Sequence, residues 1–530
     1  MYVVITKKYF LIPLVLFVLF SDSCRPLLVR QMINPSQTGE MQNLPEGVKV
    51  HMKDGSLYVL DSLITYDSKD TIEGWGTSYN KYRDILSYNP SPSKGTYHPA
   101  YHIPLSGVAL LELNKMKGLK GRTLAMALVG VPTVLLTGIC LTNPKACFGS
   151  CPTFYSWDGR DTALMAEGFS SSILKVYEKE DIDMLYWAQP EQPNFHLIVK
   201  NEALETHIIR EADILAIPRS SAERVFASGD AEFYKISMLR APELCVSSEG
   251  DCREAILEMD QKERFNLSDP DNLAEREYIE MSFSDIPRGE LGLLLSCRQT
   301  LMTTYLFYQG LAYLGNSAGY FEARIESGDK FLKRKVDKVW DILGGIEVFI
   351  KYPGQKWKKV EEIREMGPIA SDIHLIKLPA SNSDKADIKL RLTKGLWRID
   401  YIALGKIDEK VDPITIKPSL VTSISNSNSE PIRVPQLIDP DDPLITLPGD
   451  IYDICYNLPD YSGQFEIFLK SRGYYIEWMR ETWIKEENLK KAALLFGYPR
   501  LFMKMAADDF KLNESSMEES FWNSKYVKKE

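Results

Sequence analysis

The sequence predicts an α+β, multi-domain chain that is mostly β. Three observations carry this. At 530 residues the chain exceeds one ordinary core, so roughly two to four domains are expected. Short alternating apolar runs recur from Gly47 to Leu469, which is the period of half-buried strands. Longer apolar or helical stretches interrupt them near 123–141, 290–343 and the C-terminus. The expected architecture is a small N-terminal β-barrel-like domain, β-sandwich-like blocks, an apolar helix at 123–141, core helices near 290–343 and a helical C-terminus.

Charge narrows the partners. The chain has 63 Lys and Arg against 73 Asp and Glu, a formal charge of -10. A nucleic-acid-binding surface needs a concentrated basic excess, so no nucleic acid is expected. The overall balance also gives no general attraction to anionic lipid.

Residues 1–24 read as an export signal. Lys7 and Lys8 precede the apolar run Phe10–Phe20, which is too short to span a bilayer. Ser21-Asp22-Ser23-Cys24 follows. A cysteine directly after the apolar run resembles a bacterial lipoprotein processing site, although Ser21 and Asp22 depart from its usual residues. The resemblance implies cleavage before Cys24, diacylation of its sulfur and a stable membrane anchor, because each buried CH₂ contributes about 0.8 kcal/mol. Arg25 in place of Asp favours the outer membrane. A plain signal peptide cut near Ser23 is the alternative. Residues 25–45 are polar and read as a tether.

Export changes how the other cysteines read, because oxidising compartments permit disulfides. Cys147 and Cys151 are four apart, and Cys245 and Cys252 are seven apart. Both pairs are disulfide candidates. Zinc is the rival reading, but two-residue spacing and nearby histidines are absent. No metal or other cofactor is expected.

Residues 46–115 alternate as strands, with a turn at Lys53-Asp54-Gly55-Ser56 and a long loop from Tyr79 to His102. Thr123 to Leu141 holds 19 uncharged residues, about 28 Å as a helix. A stop-transfer there would put both cysteine pairs in a reducing compartment. It would also leave Lys115, Lys117, Lys120 and Arg122 outside, against the positive-inside tendency. The segment is therefore expected to be buried or membrane-associated. Residues 147–288 read as a β-sandwich-like domain and 289–343 as a helical segment. Residues 344–408 read as a second sandwich-like block, 409–446 as a linker or long loop, and 447–530 as strands followed by helices. The helical part is expected to start near Tyr474.

Chemical signatures are sparse. Gly315-Asn316-Ser317-Ala318-Gly319 matches the G-x-S-x-G elbow, with Asp372 and His374 as formal partners. The elbow needs a strand before the serine, and a helix is expected there. His98 and His102 flank a proline, which rules out a regular helical metal face. Asp439-Pro-Asp441-Asp442-Pro443 lacks the central glycine of a calcium loop.

Cys151-Pro-Thr-Phe-Tyr155-Ser-Trp157-Asp158-Gly159, with Ala166-Glu167-Gly-Phe169 and Asn201-Glu202-Ala-Leu-Glu205-Thr206, carries one further likeness. It extends through Arg298-Gln-Thr-Leu and Ser471–Arg480. The C-P-x-x-Y-x-W-D-G module resembles predicted lipoproteins of Bacteroidota and related bacteria. The resemblance implies an envelope address and a modular β-rich build, and it transfers no catalytic residue. Tyr155, Trp157, Asp158, Gly159, Asn201, Glu202 and Glu205 then read as a structural motif. The leading functional expectation is a non-enzymatic envelope lipoprotein that binds envelope proteins or glycan. An envelope hydrolase using Ser317 and a membrane-complex subunit docking through 123–141 are the alternatives.

Overall fold

The computed structural model describes residues 27–33, 48–52, 56–64, 71–79, 85–89, 99–117 and, apart from short gaps, 151–517. The signal segment, Cys24, the segment 123–141, Cys147, His98 and residues 439–441 lie outside the described residues. The chain divides into two compact units, residues 1–130 with 316–320 and residues 131–315 with 321–530.

The first unit is an antiparallel sheet. Its strands run Leu27–Ile33, Val108–Lys117, Val48–Met52, Leu57–Ile64, Thr71–Tyr79 and Ile85–Asn89, with Tyr101–Pro104 also on Thr71–Tyr79. Val48, Val50, Leu60, Ile72, Ile103 and Val108 form its core. Gly76 is required by close approach, since a Cβ there would lie 2.0 Å from the Val59 carbonyl oxygen. Two expectations are corrected. Leu27–Ile33 is no free tether but pairs along its length with Val108–Lys117, because its apolar residues suit a strand. Ile85–Asn89 is a strand inside the expected loop.

The second unit holds four sheets among the described residues. Sheet I pairs Glu205–Arg219 with Gln464–Glu477 and adds Lys179–Met184, Ile414–Ile416 and Leu444–Thr446. Sheet II runs Ile432–Val434, Leu420–Ser423, Ile451–Asn457, Asn194–Lys200, Thr153–Trp157 and Thr162–Glu167. Sheet III runs Arg224–Ala227, Phe233–Arg240, Trp397–Val411, Gly289–Gln299 and Asp372–Ser381, with Arg264–Phe265 on Trp397–Val411. Sheet IV runs Gly250–Asp251, Leu244–Ser247, Arg276–Phe283, Ala386–Thr393, Ile346–Lys351 and Lys358–Ile363.

Sheet I is buried on both faces. Ile209, Ile214, Ile467 and Leu469 pack with Phe154, Phe195, Leu197 and Ile454 of sheet II. Leu215, Ile217 and Phe468 pack with Val225, Phe233, Leu294 and Leu375 of sheet III. Helix α1 (Met302–Leu314) follows sheet III, then α2 (Ala318–Glu326) and α3 (Lys330–Leu343). The carboxylate of Asp329 caps α3 by accepting from Phe331 N and Leu332 N at 3.0 and 3.1 Å. The C-terminal helices are α4 (Glu481–Lys485), α5 (Leu489–Gly497), α6 (Pro499–Met505) and α7 (Ala507–Lys511). No helix among the described residues is long and apolar enough to cross a membrane.

The β-rich, sandwich-like build with C-terminal helices matches expectation, but four readings within it do not. Gly289–Gln299, expected as helix, is a strand between Asp372–Ser381 and Trp397–Val411. It is buried from Leu291 to Arg298, and a strand covered on both faces loses the alternation that marks strands. Residues 409–446 are no simple linker. They contribute short strands to sheets I and II, and Val421 and Leu444 are core residues. The last long strand extends to Glu477, past the expected helix start at Tyr474. The expected blocks 147–288 and 344–408 are also interleaved, because the strands of 147–288 are shared among all four sheets.

Candidate functional site

A cavity of about 330 Å³ opens in the second unit, within the range of roughly 300–1,000 Å³ seen for small-molecule sites. Its buried floor comes from strand ends. Glu167 ends Thr162–Glu167, Glu205 begins Glu205–Arg219, and Tyr475 and Glu477 lie on the last strand, beside Cys151. Its more open side comes from helices. α1 supplies Thr303, Thr304, Phe307 and Tyr308, and α3 supplies Asp337, Trp340 and Asp341. The three α3 residues are spaced i, i+3, i+4, so they share one helix face.

The floor is tightly built. Glu205 Oε2 lies 3.1 Å from His207 Nε2, both side chains almost wholly buried. Glu167 Oε2 accepts from Ile369 N at 2.9 Å. Gly367 leaves room for that carboxylate, since a Cβ there would lie 1.8 Å from Glu167 Oε2. Arg298, also buried, donates to the Pro368 carbonyl at 2.6 Å and is held by both oxygens of Glu263 at 2.5 and 2.7 Å. The 367–368 wall is thereby fixed from behind. The Tyr475 hydroxyl donates to the Ser170 carbonyl at 2.8 Å, and the Cys151 thiol donates to the same oxygen at 3.6 Å. Tyr308 donates to Glu477 Oε1 at 2.5 Å.

The side facing α3 is ionic. Tyr177 donates to Asp337 Oδ1 at 3.2 Å, and Lys333 approaches the same carboxylate at 3.0 Å. Arg364 pairs with Asp341 at 2.7 Å. Five carboxylates and one guanidinium thus line the cavity, which gives it a negative character.

The reactive groups are held neutral. Burial, reinforced by Glu167 and Glu205, pushes the Cys151 thiol well up. Burial and the neighbouring Cys151 do the same for Tyr475. A thiol acts as a nucleophile through its thiolate, so this environment works against nucleophilic chemistry at Cys151.

The residues singled out in the sequence divide by position. Cys151 and Glu205 line the cavity. Tyr155 and Thr153 donate to Glu202 Oε2 at 2.6 and 3.0 Å, and the Lys200 ammonium sits 4.2 Å from the Tyr155 ring centroid. Asn201 Nδ2 donates to the Glu205 carbonyl at 2.9 Å and to the Thr446 carbonyl at 3.2 Å, which fixes the strand carrying Glu205. Asp158 accepts from Arg160 N and Asp161 N at 2.7 Å, and Gly159 takes φ +93°, making the expected turn. Trp157 is exposed. Cys245 and Cys252 are free thiols with sulfurs 2.7 Å apart, beyond the bond length of about 2.05 Å. Cys24 and Cys147 lie outside the described residues.

Asp372 and His374 do meet, with Oδ2 and Nε2 3.0 Å apart. Ser317, however, ends a short 3₁₀ turn that follows α1, so the strand-to-helix elbow is absent. Among the described residues no cluster of three or more His, Cys, Asp or Glu side chains is placed to hold a metal ion. Sequence reading missed Tyr177, Trp340, Asp337 and Asp341 as lining residues. The D-x-x-W-D spacing in a charged helix was the available signal. No protein-family model matches the chain, and no curated protein matches it.

Proposed function

We propose that this chain is a cell-envelope lipoprotein, acylated at Cys24 and anchored in the outer membrane, whose second unit binds a saccharide without catalysing a reaction on it. The cavity between the strand ends and α1 and α3 carries the reading. Rings from Phe307 and Trp340 beside the carboxylates of Glu167, Glu205 and Asp341 suit a sugar. C–H faces rest on aromatic rings while hydroxyls donate to carboxylates. The excess of carboxylates favours a neutral or amino-bearing sugar over an acidic one. The neutral Cys151 thiol supports binding over covalent chemistry.

Two measurements test the two parts separately. Mass spectrometry of the membrane-extracted protein is expected to find an acylated N-terminal peptide beginning at Cys24. An unmodified N-terminus would overturn the anchor. An array of bacterial envelope oligosaccharides is expected to show binding that Trp340→Ala abolishes. Binding to no saccharide, or equal binding by the variant, would overturn the cavity reading.

A further inference from the structure

The C-terminal helices carry a surface that the cavity does not use. The stretch Leu489–Ala507 holds Lys490, Lys491, Arg500 and Lys504 and no acidic residue, in a chain whose formal charge is -10. Its inner side is already occupied. Ala492, Leu495, Pro499, Phe502 and Met503 are buried, and the Phe502 ring lies 6.1 Å from that of Tyr313 on α1. The outer side is nevertheless apolar. Tyr498 is 71% exposed, Leu501 51%, Met505 59% and Leu512, just past α7, 81%.

These residues form a pattern. Leu501 and Met505 are four apart and so lie one above the other on α6, and the exposed Tyr498 precedes them as the N-cap residue of that helix. Arg500 and Lys504, also four apart and exposed, run alongside as a parallel cationic row. Asp508 is the exposed acid nearest in sequence, and Lys491 offsets Asp509 at 3.8 Å. An apolar stripe bordered by cations is the arrangement that lets a helix lie in a lipid headgroup layer, with side chains sunk among acyl chains and ammonium or guanidinium groups at phosphates. A core contact does not explain the stripe, because the opposite face already makes that contact.

We infer that α5 and α6 form a membrane-docking surface for an anionic phospholipid bilayer. Charge complementarity points to anionic headgroups, because the exposed Arg500 and Lys504 border an exposed apolar stripe, the combination an anionic bilayer surface accommodates. The surface would lay the second unit against the bilayer independently of any acyl anchor. It does not depend on the saccharide reading.

The test uses the full exported chain carrying Cys24→Ser, so that no acyl chain contributes. Co-sedimentation is measured with vesicles of phosphatidylcholine alone and of equimolar phosphatidylcholine and phosphatidylglycerol. Binding to the anionic vesicles is expected, weakening with added salt. The pair Leu501→Glu and Met505→Glu is expected to reduce partitioning by roughly tenfold or more, and Arg500→Gln with Lys504→Gln to reduce it while weakening its salt dependence. Both sites are exposed, and unchanged thermal melting confirms that the variants remain folded. The inference is overturned if the parent chain ignores anionic vesicles, if it binds both vesicle types equally, or if the folded variants bind as the parent does.

Discussion

Arg264 and Glu277 form a bidentate ion pair between two sheets, with both nitrogen–oxygen distances 2.7 Å and both side chains about 3% exposed. Arg264 lies on a short strand of sheet III, opposite Ile399, and Glu277 on a strand of sheet IV, opposite Leu392. Asn266 adds a hydrogen bond to Glu277 Oε2 at 2.8 Å. The pair ties a strand of sheet III to a strand of sheet IV.

Removing one partner leaves a buried charge without its counterion, which typically costs about 3–5 kcal/mol. Glu277→Ala is therefore expected to lower the stability of the second unit by that order in urea denaturation. The double change Arg264→Met with Glu277→Leu is expected to recover most of the loss. A loss under about 1 kcal/mol in the single variant would show that water or a rearranged side chain reaches the guanidinium.

The acidic interior makes stability depend on pH. Burial, with the nearby Asp372 carboxylate, lifts Asp181 to about 6, against Lys179 and His374, which pull it down. Burial and the carboxylates of Asp181, Asp372 and Glu167 raise Asp183. Burial and Glu211 lift Asp213 to about 6. A carboxyl raised above its unfolded value, roughly 3.9, favours folding most when protonated, and that contribution is lost as pH rises through 6. Glu362 behaves oppositely. Lys359, Arg364 and the Gly345 N–H outweigh burial and hold it at about 2, so its contribution exists above roughly 4.3 and is lost on acidification. Maximum stability from these groups is expected near pH 4, with a decline between roughly pH 4 and 6 as the raised carboxyls ionise in the folded state. Asp181→Asn should flatten the decline between roughly pH 4 and 6 in a melting-temperature series, and an unchanged slope there would contradict the assignment.

The thiols should separate by environment. Cys151 and Cys297 are buried, and burial is the main cause raising each. Both are expected to resist iodoacetamide until the protein unfolds. Cys245 and Cys252 face each other across a hairpin, with Cys252 N donating to the Cys245 carbonyl at 3.0 Å. Each is the largest influence on the other, raising Cys245 and lowering Cys252, as for a pair sharing one proton. In protein isolated from an oxidising compartment they are expected to be joined, read as a cross-linked peptide in a non-reduced digest. Two alkylatable thiols in that material would contradict the pairing.

Gly367 sets the depth of the cavity. Gly367→Ala would place a methyl against the Glu167 carboxylate and threaten its bond from Ile369 N. The expected result is weakened saccharide binding with a stability loss of about 1–3 kcal/mol, measured by calorimetry and urea denaturation. Unchanged binding would show that Glu167 lies outside the recognised part of the ligand.

Local patterns were legible where one face of an element meets solvent or where a turn needs a particular residue. Asn194–Lys200 alternates and is a strand, and Asp158-Gly159 makes its turn through the Asp158 side chain. Legibility failed where burial removed the pattern, as in Gly289–Gln299, and where pairing came from far along the chain. Glu205 sits opposite Glu477 in the register of sheet I, and nothing local in either segment announces that meeting. The cavity depends on such pairings, so the sequence singles out Cys151 and Glu205 as motif residues but gives Tyr475 and Trp340 no part in a site.

Hydrogen–deuterium exchange with a chito-oligosaccharide probe tests the central claim most directly, because it reports where the ligand sits as well as whether it binds. The cavity reading expects slowed exchange in peptides covering 167–177, 299–308 and 337–344, lost in Trp340→Ala. Protection confined to other segments, or none at saturating probe, would contradict it.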